Sequence, residues 1–243
     1  MTANDVLVVI PAHNEEHAIR RCVSRVLAAV GQGRRAGLVD RATVVVVPHR
    51  CSDRTAELAA LALAGQPVTG IVVPDTRSTT VAQVRRRGVE AGWTDAQAGT
   101  AERTWLFNTD ADSWVPSDWI TATLTTMRTD NAVAAAGLVD VVGWRASRAA
   151  RRAYRALIQE GLHAGGHDHV YGANLVVRLD AYLAVGGFPH CEHGEDHALV
   201  ARLRAAGYRV ATPRTPRVAT SGRTAGRCPD GLGALLGRLA SHT

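Results

Sequence analysis

Residues 105–116, "WLFNTDADSWVP", set an apolar run against Asp110 and Asp112 and close the stretch with a proline. The run 104–108 reads as a strand, and in extended chain residues i and i+2 project to the same side. Two neighbouring carboxylates repel each other unless something positive sits between or in front of them. A divalent cation, an arginine and plain water are the candidates. The purely structural alternative is an N-cap for a helix over 117–129, but Ser117 is placed to serve there.

Upstream, "VLVVI" (6–10), "TVVVV" (43–47) and "GIVV" (70–73) read as further buried strands. Each is followed by a helical pattern, over 15–30, 54–64 and 79–92. In the first, apolar side chains recur at 18, 19, 22, 23, 26, 27 and 30. Asn14 is the expected N-cap, with Glu15 and Glu16 in the first turn, and Cys22 is expected as a buried thiol. Strand–helix alternation of this kind predicts an α/β fold, with a mostly parallel central sheet and helices on both faces. Downstream, a helix over 117–129 precedes an apolar segment, 132–142, and an arginine-rich helix over 147–162. The glycine- and histidine-rich "HAGGHDH" (163–169) reads as a mobile loop. Strand-like 171–178, the turn "VGGFP" (185–189), helical 195–206 and strand-like 208–219 follow, and the tail begins as a loop and ends helical. No repeat or linker interrupts the 243 residues, which read as a single domain.

The net charge of +6 favours acidic partners, and all 28 basic residues are arginines, whose planar fork suits phosphate and carboxylate. Nucleic acid is a poorer match, because the arginines are dispersed and aromatic residues make up only 5%, leaving little for base stacking. No run approaches the roughly 20 apolar residues of a membrane span. The first residues show no basic leader or long apolar segment, so a cytoplasmic protein is expected. Cys22, Cys51, Cys191 and Cys228 form no CxxC pair.

In an open parallel sheet, ligands bind beyond the carboxyl ends of the strands. Four polar clusters fall there: "PAHNEE" (11–16), "HRCSDR" (49–54), "PDTRS" (74–78) and "NTDAD" (108–112). Each alone is ordinary turn chemistry, and together they define one edge.

Taken in order, "VVIPAHNEE", "CSDRTAE", "DAD" and "VGGFP…HGEDHALVARLRAAGYRV" resemble the motifs of family 2 glycosyltransferases over residues 6–221. The most specific match is Gly186, Gly187, Phe188, Glu195, Asp196, Arg202, Leu203 and Gly207. The resemblance implies the GT-A (Rossmann-like) fold, with a nucleotide-binding half at 1–115 and an acceptor-binding half with the tail at 116–243. It also implies a nucleoside-diphosphate-sugar donor and a hydroxyl-bearing acceptor. In the family the first aspartate of the pair faces the ribose and the second holds the metal, which gives these roles to Asp110 and Asp112. Mg²⁺ or Mn²⁺ suits such a place, needing only one or two protein carboxylates beside phosphate and water oxygens. The family's helix-start aspartate corresponds to Asp196, the candidate base for an inverting transfer, with Glu195 on the acceptor side. Ordinary acid placement at a helix start is the alternative for both.

By the same resemblance Pro11, Ala12, His13, Glu15 and Asp53 line the donor pocket. Arg85 matches the arginine of the family's "ArNxG" stretch, although Arg86 replaces the asparagine, and a solvated helix face is the rival reading for Arg85. Where the family commonly has "DDGS" this chain reads Pro48-His49-Arg50-Cys51. The carboxylate that accepts from a base N–H is missing, leaving His49 as base reader or guanine as the base. "HCEHGEDH" (190–197) invites zinc, but its spacing matches no standard pattern. Arg223 and Arg227 are either diphosphate contacts or solvated tail charges. A retaining transferase and a non-catalytic nucleotide- or sugar-binding relative are the alternatives to an inverting enzyme.

Overall fold

The computed structural model describes residues 3–95, 99–224 and 231–241. The chain alternates at first: β1 (Asn4–Ala12), α1 (Ile19–Arg35), β2 (Val39–Pro48), α2 (Thr55–Leu63), β3 (Thr69–Val72), α3 (Val81–Asp95) and β4 (Thr104–Asn108). Then come β5 (Ser113–Trp114), α4 (Trp119–Thr129), β6 (Ala134–Ala136), β7 (Val139–Val142), α5 (Arg148–Glu160), β8 (Leu162–His163) and β9 (Gly166–His167). A 3₁₀ turn (Gly172–Asn174) leads into β10 (Leu175–Arg178), followed by α6 (Leu179–Ala184), α7 (Glu195–Ala205), β11 (Val210–Ala211), β12 (Val218–Ser221) and α8 (Leu232–Ser241).

Seven strands form the main sheet in the order β11-β6-β10-β4-β1-β2-β3. Every pairing is parallel except those of β10, which runs against both β4 and β6. The apolar runs are continuous because each central strand is covered twice. Val6, Val8 and Ile10 face a core with α1, α2 and α4, while Leu7 and Val9 face the opposite core with α3, α6 and α7. The expected helices on both faces are therefore present.

Close packing of α3 depends on glycine. A Cβ on Gly88 would stand 2.5 Å from Val9 Cγ1, and one on Gly92 would stand 2.3 Å from Leu7 Cδ1. These two positions lie one turn apart, so α3 presses its backbone onto β1 and β2.

A second sheet, β5-β12-β7, lies beyond the paired aspartates. Asp112 O accepts from Ser221 N at 3.2 Å, and Ser113 Oγ lies 2.9 Å from Thr220 Oγ1. The acidic pair is thereby held between the end of β4 and the end of β12.

Three local expectations are corrected. Helix α1 begins at Ile19, not beside Asn14: Asn14 adopts φ 51°, and its Oδ1 accepts from Ser52 N at 2.8 Å. Glu15 and Glu16 consequently belong to the loop, not to a first helical turn. Helix α4 starts at Trp119 with no side-chain cap, so Ser117 does not cap it. The "HAGGHDH" break contains the β8–β9 hairpin, in which His167 is buried and its N–H donates to Thr212 Oγ1 at 3.2 Å.

Gly88→Val should lower the unfolding free energy by about 1–3 kcal/mol, the usual range for overpacking a well-filled core. Chemical denaturation checks this, and an unchanged midpoint would mean that α3 does not press on β1 as described.

Candidate active site at the carboxyl edge of the sheet

The four polar clusters do meet. Loop β1–α1 is tied to loop β2–α2 by Glu15 N donating to Thr55 Oγ1 (2.7 Å) and Glu16 N donating to Asp53 Oδ2 (3.0 Å). Asp53 also accepts from Thr55 N and Thr55 Oγ1 through Oδ1, at 3.0 and 2.5 Å. Partial desolvation pushes its carboxyl up, but these hydrogen bonds outweigh that and hold it below the ordinary carboxylate range. Asp53 thus braces two loops. Ala12 O accepts from His49 N at 2.7 Å, so the end of β1 at Pro11 and Ala12 is fixed against the end of β2.

His13 Nδ1 lies 2.6 Å from His49 O, and His49 Nδ1 lies 3.2 Å from Asp75 Oδ2. Asp75 was visible in the sequence only as part of "PDTRS". Its carboxylate also accepts from the backbone of Arg77 and Ser78, a turn geometry typical of aspartate, and it orients the His49 ring.

Arg85 is the centre of the site. Its side chain is 2% exposed, which overturns the solvated-face reading. Nη2 donates to Asp110 Oδ1 at 2.6 Å and Nε to Glu195 Oε1 at 3.3 Å, while Nη1 has no hydrogen-bond partner among the described residues. Burial pushes the guanidinium pKa down, but Asp110, Glu195 and Asp196 outweigh it and keep Arg85 charged. Burial raises Glu195, opposed by Arg85. Helix α3 and the start of α7 are joined here, 110 residues apart in sequence. Next to Arg85, Arg86 donates from Nη1 to Gly186 O (2.9 Å) and Phe188 O (3.0 Å), securing the "VGGFP" turn that precedes α7.

Asp196 follows Glu195 in the first turn of α7. Its Oδ2 accepts from Gly172 N at 2.7 Å and its Oδ1 from His197 N at 2.8 Å, so two backbone donors set the carboxylate's orientation. Gly172 is required for space, because a Cβ there would lie 2.5 Å from Arg85 Nη2. Nothing in the sequence singled out Gly172.

Arg223 reaches back from the loop after β12. Nη2 lies 2.5 Å from Glu15 Oε1 and 3.0 Å from Asp112 Oδ2. The arginine contact weighed from the sequence is thus made to carboxylates. Arg227 lies outside the described residues. Burial first, then the charge of Asp110, push the Asp112 carboxyl up to about 6, with Arg223 acting in the opposite direction. Cys22, buried under the same carboxylates, donates from Sγ to Asp110 O at 3.3 Å, and burial pushes its thiol up.

Against Glu15, Asp110, Asp112, Glu195 and Asp196 the site sets Arg85 and Arg223. That acidic surplus, presented by oxygens alone, fits a hard divalent cation of the Mg²⁺ or Mn²⁺ type. Among the described residues no three His, Cys, Asp or Glu side chains converge to cage an ion, and no helix is long and apolar enough to cross a membrane.

A mostly parallel sheet with its polar loops gathered at the carboxyl edge defines an α/β protein with a candidate ligand site at that edge. The glycosyl transferase family 2 model matches residues 7–181, and the chain belongs to that family. The architecture is the GT-A fold of these transferases. A mannosyltransferase from Pyrobaculum calidifontis, solved with GDP-Man and Mn²⁺, is similar at a TM-score of 0.70 and 18% identity, over 92% of this chain and 59% of that one. S. aureus TarS 1-349 with UDP-GlcNAc gives 0.64 and 13%, over 93% and 61%. GalNAc-T7 with UDP, GalNAc and Mn²⁺ gives 0.67 and 14%, over 98% and 48%. This chain therefore spans about half to three fifths of those structures. No curated protein sequence matches it.

Arg85→Gln should destabilise the fold by about 3–5 kcal/mol, because breaking a buried ion pair strands its partner carboxylates. Adding Glu195→Gln should recover part of that loss in denaturant titrations, and a double variant as weak as the sum of both singles would count against a shared charge cluster.

Proposed function

We propose that the protein transfers a sugar from a nucleoside-diphosphate-sugar donor to an acceptor hydroxyl, with inversion and with the help of a divalent cation. The observation that carries this reading is the Arg85 cluster, which brings Asp110 and Asp112 and the Glu195–Asp196 pair to one edge of the sheet. A leaving nucleoside diphosphate develops negative charge, and a group accepting the acceptor's proton must stand opposite it. The site offers carboxylates for both tasks.

In this reading Asp112 holds the cation and Asp110, fixed by Arg85, faces the ribose. The cation supplies charge stabilisation for the departing diphosphate. Pro11, Ala12, His13, Glu15 and the loop braced by Asp53 surround the nucleotide. His49, oriented by Asp75, meets the base where the family commonly presents a carboxylate. Arg223, paired with Asp112, is the arginine assigned to the diphosphate. The mannosyltransferase and GalNAc-T7 structures were obtained with Mn²⁺ and nucleotide ligands, which supports a cation and a diphosphate donor for this chain.

Asp196 is the base. Its two backbone hydrogen bonds fix the carboxylate without drawing on another side chain, so a lone pair remains for the incoming hydroxyl. Glu195, tied to Arg85, is the acceptor-side support. The attack is a direct displacement with no covalent sugar intermediate.

Asp112→Ala should abolish divalent-dependent binding of GDP or UDP in calorimetry. Binding that is indifferent to chelator would remove the metal role.

Asp196→Asn should reduce transfer by about 10²–10⁴-fold, the usual contribution of a general base, while nucleotide affinity stays close to that of the parent. Near-normal turnover with retention of anomeric configuration would replace the inverting reading by a retaining one.

A further inference from the structure

A cleft of about 650 Å³ opens beside Arg223, between the first turns of α1 and the small sheet β5-β12-β7. This is a volume in the range of small-molecule sites, which run from roughly 300 to 1,000 Å³. Its lining includes Arg21, Arg25, Arg217, Arg223, Trp114 and Asp140. The charge balance is one-sided. Asp140 is the acid in this lining, and its Oδ1 is bonded to Arg217 Nε at 2.7 Å. Arg223 is shared between Glu15 and Asp112. Arg21 and Arg25 enter no ion pair among the described residues, and the Arg21 guanidinium carbon is held 4.0 Å from the centre of the Trp114 ring. Holding a cation on an aromatic face leaves its N–H edge free for an anion.

None of His13, His49, Asp53 or Asp75 lines this cleft. It adjoins Asp112, where the donor's diphosphate would end, through Ser221 and Arg223, and the rest of its lining comes from α1, the small sheet and the turns beside it. We infer that this cleft binds the anionic part of the acceptor, a phosphate or carboxylate that Arg21 and Arg25 recognise while the hydroxyl is presented at the neighbouring acidic edge. Assigning the anion to the acceptor rests on the transferase reading, whereas the existence of the anion site does not. The same arginines could instead meet a phosphate of the donor, and the test separates the two sources.

Inorganic phosphate is titrated calorimetrically into the whole protein at fixed ionic strength, with and without saturating GDP or UDP and Mn²⁺. The parent is compared with Arg21→Gln, Arg25→Gln and the double variant; both side chains are exposed, so folding is not at stake. The expected result is phosphate binding that persists in the presence of nucleotide and weakens by about tenfold or more in the double variant, with nucleotide affinity unchanged. Phosphate displaced stoichiometrically by nucleotide, with GDP and UDP affinity also lost in the double variant, would overturn the assignment in favour of a donor contact. Equal phosphate binding by parent and double variant, an adventitious ion only, would overturn it as well. Should neither nucleotide bind while phosphate still depends on Arg21 and Arg25, the transferase reading fails and the anion site stands.

Discussion

A guanidinium taken almost wholly out of water is tolerable only while carboxylates remain beside it, and Arg85 imposes that requirement on the entire sheet edge. It draws Asp110 from the end of β4 and Glu195 from the start of α7 to one point. The approach of α3 to the sheet through Gly88 and Gly92 sets how far Arg85 reaches, and the bare backbone at Gly172 leaves room for it. Asp196 is then aimed by its neighbour's anchoring and by the Gly172 amide. Moving any one of these elements would strand a buried charge, so the acidic edge behaves as a preorganised unit.

Much of this was legible from residue order because burial on both faces writes strands as unbroken apolar runs. A parallel sheet then sends every following loop to the same edge, which is why the order of residues alone groups "PAHNEE", "HRCSDR", "PDTRS" and "NTDAD". Contacts between distant segments were not legible. Asn14 has the composition of an N-cap, yet its side chain is claimed by Ser52 across 38 residues, and α1 starts later as a result. Arg85 sits within "VRRRG", whose local pattern does not reveal which arginine turns inward. The small sheet is built from strands of two to four residues, too short for a periodic signal.

That small sheet determines how the negative charge is shared. Because β12 pairs with both β5 and β7, its exit places Arg223 between Glu15 and Asp112. This single guanidinium offsets part of the repulsion among Glu15, Asp112 and Asp110. The small sheet and the acidic pair are therefore joined through one side chain, Arg223.

The reversed strand β10 has an evolutionary consequence. Because it runs against its neighbours, its first residue, Leu175, pairs with the outgoing ends of β4 and β6, at Asn108 and Ala136. The chain between β6 and β10 is thereby an excursion that leaves from the acidic edge and returns to it. Its middle, α5 and the β8–β9 hairpin, can vary without shifting the register of any central strand, whereas β7, paired with β12, and Gly172, which donates to Asp196, are tied to the acidic edge. Divergence is thus expected in that middle, with the acidic edge and its two supports kept.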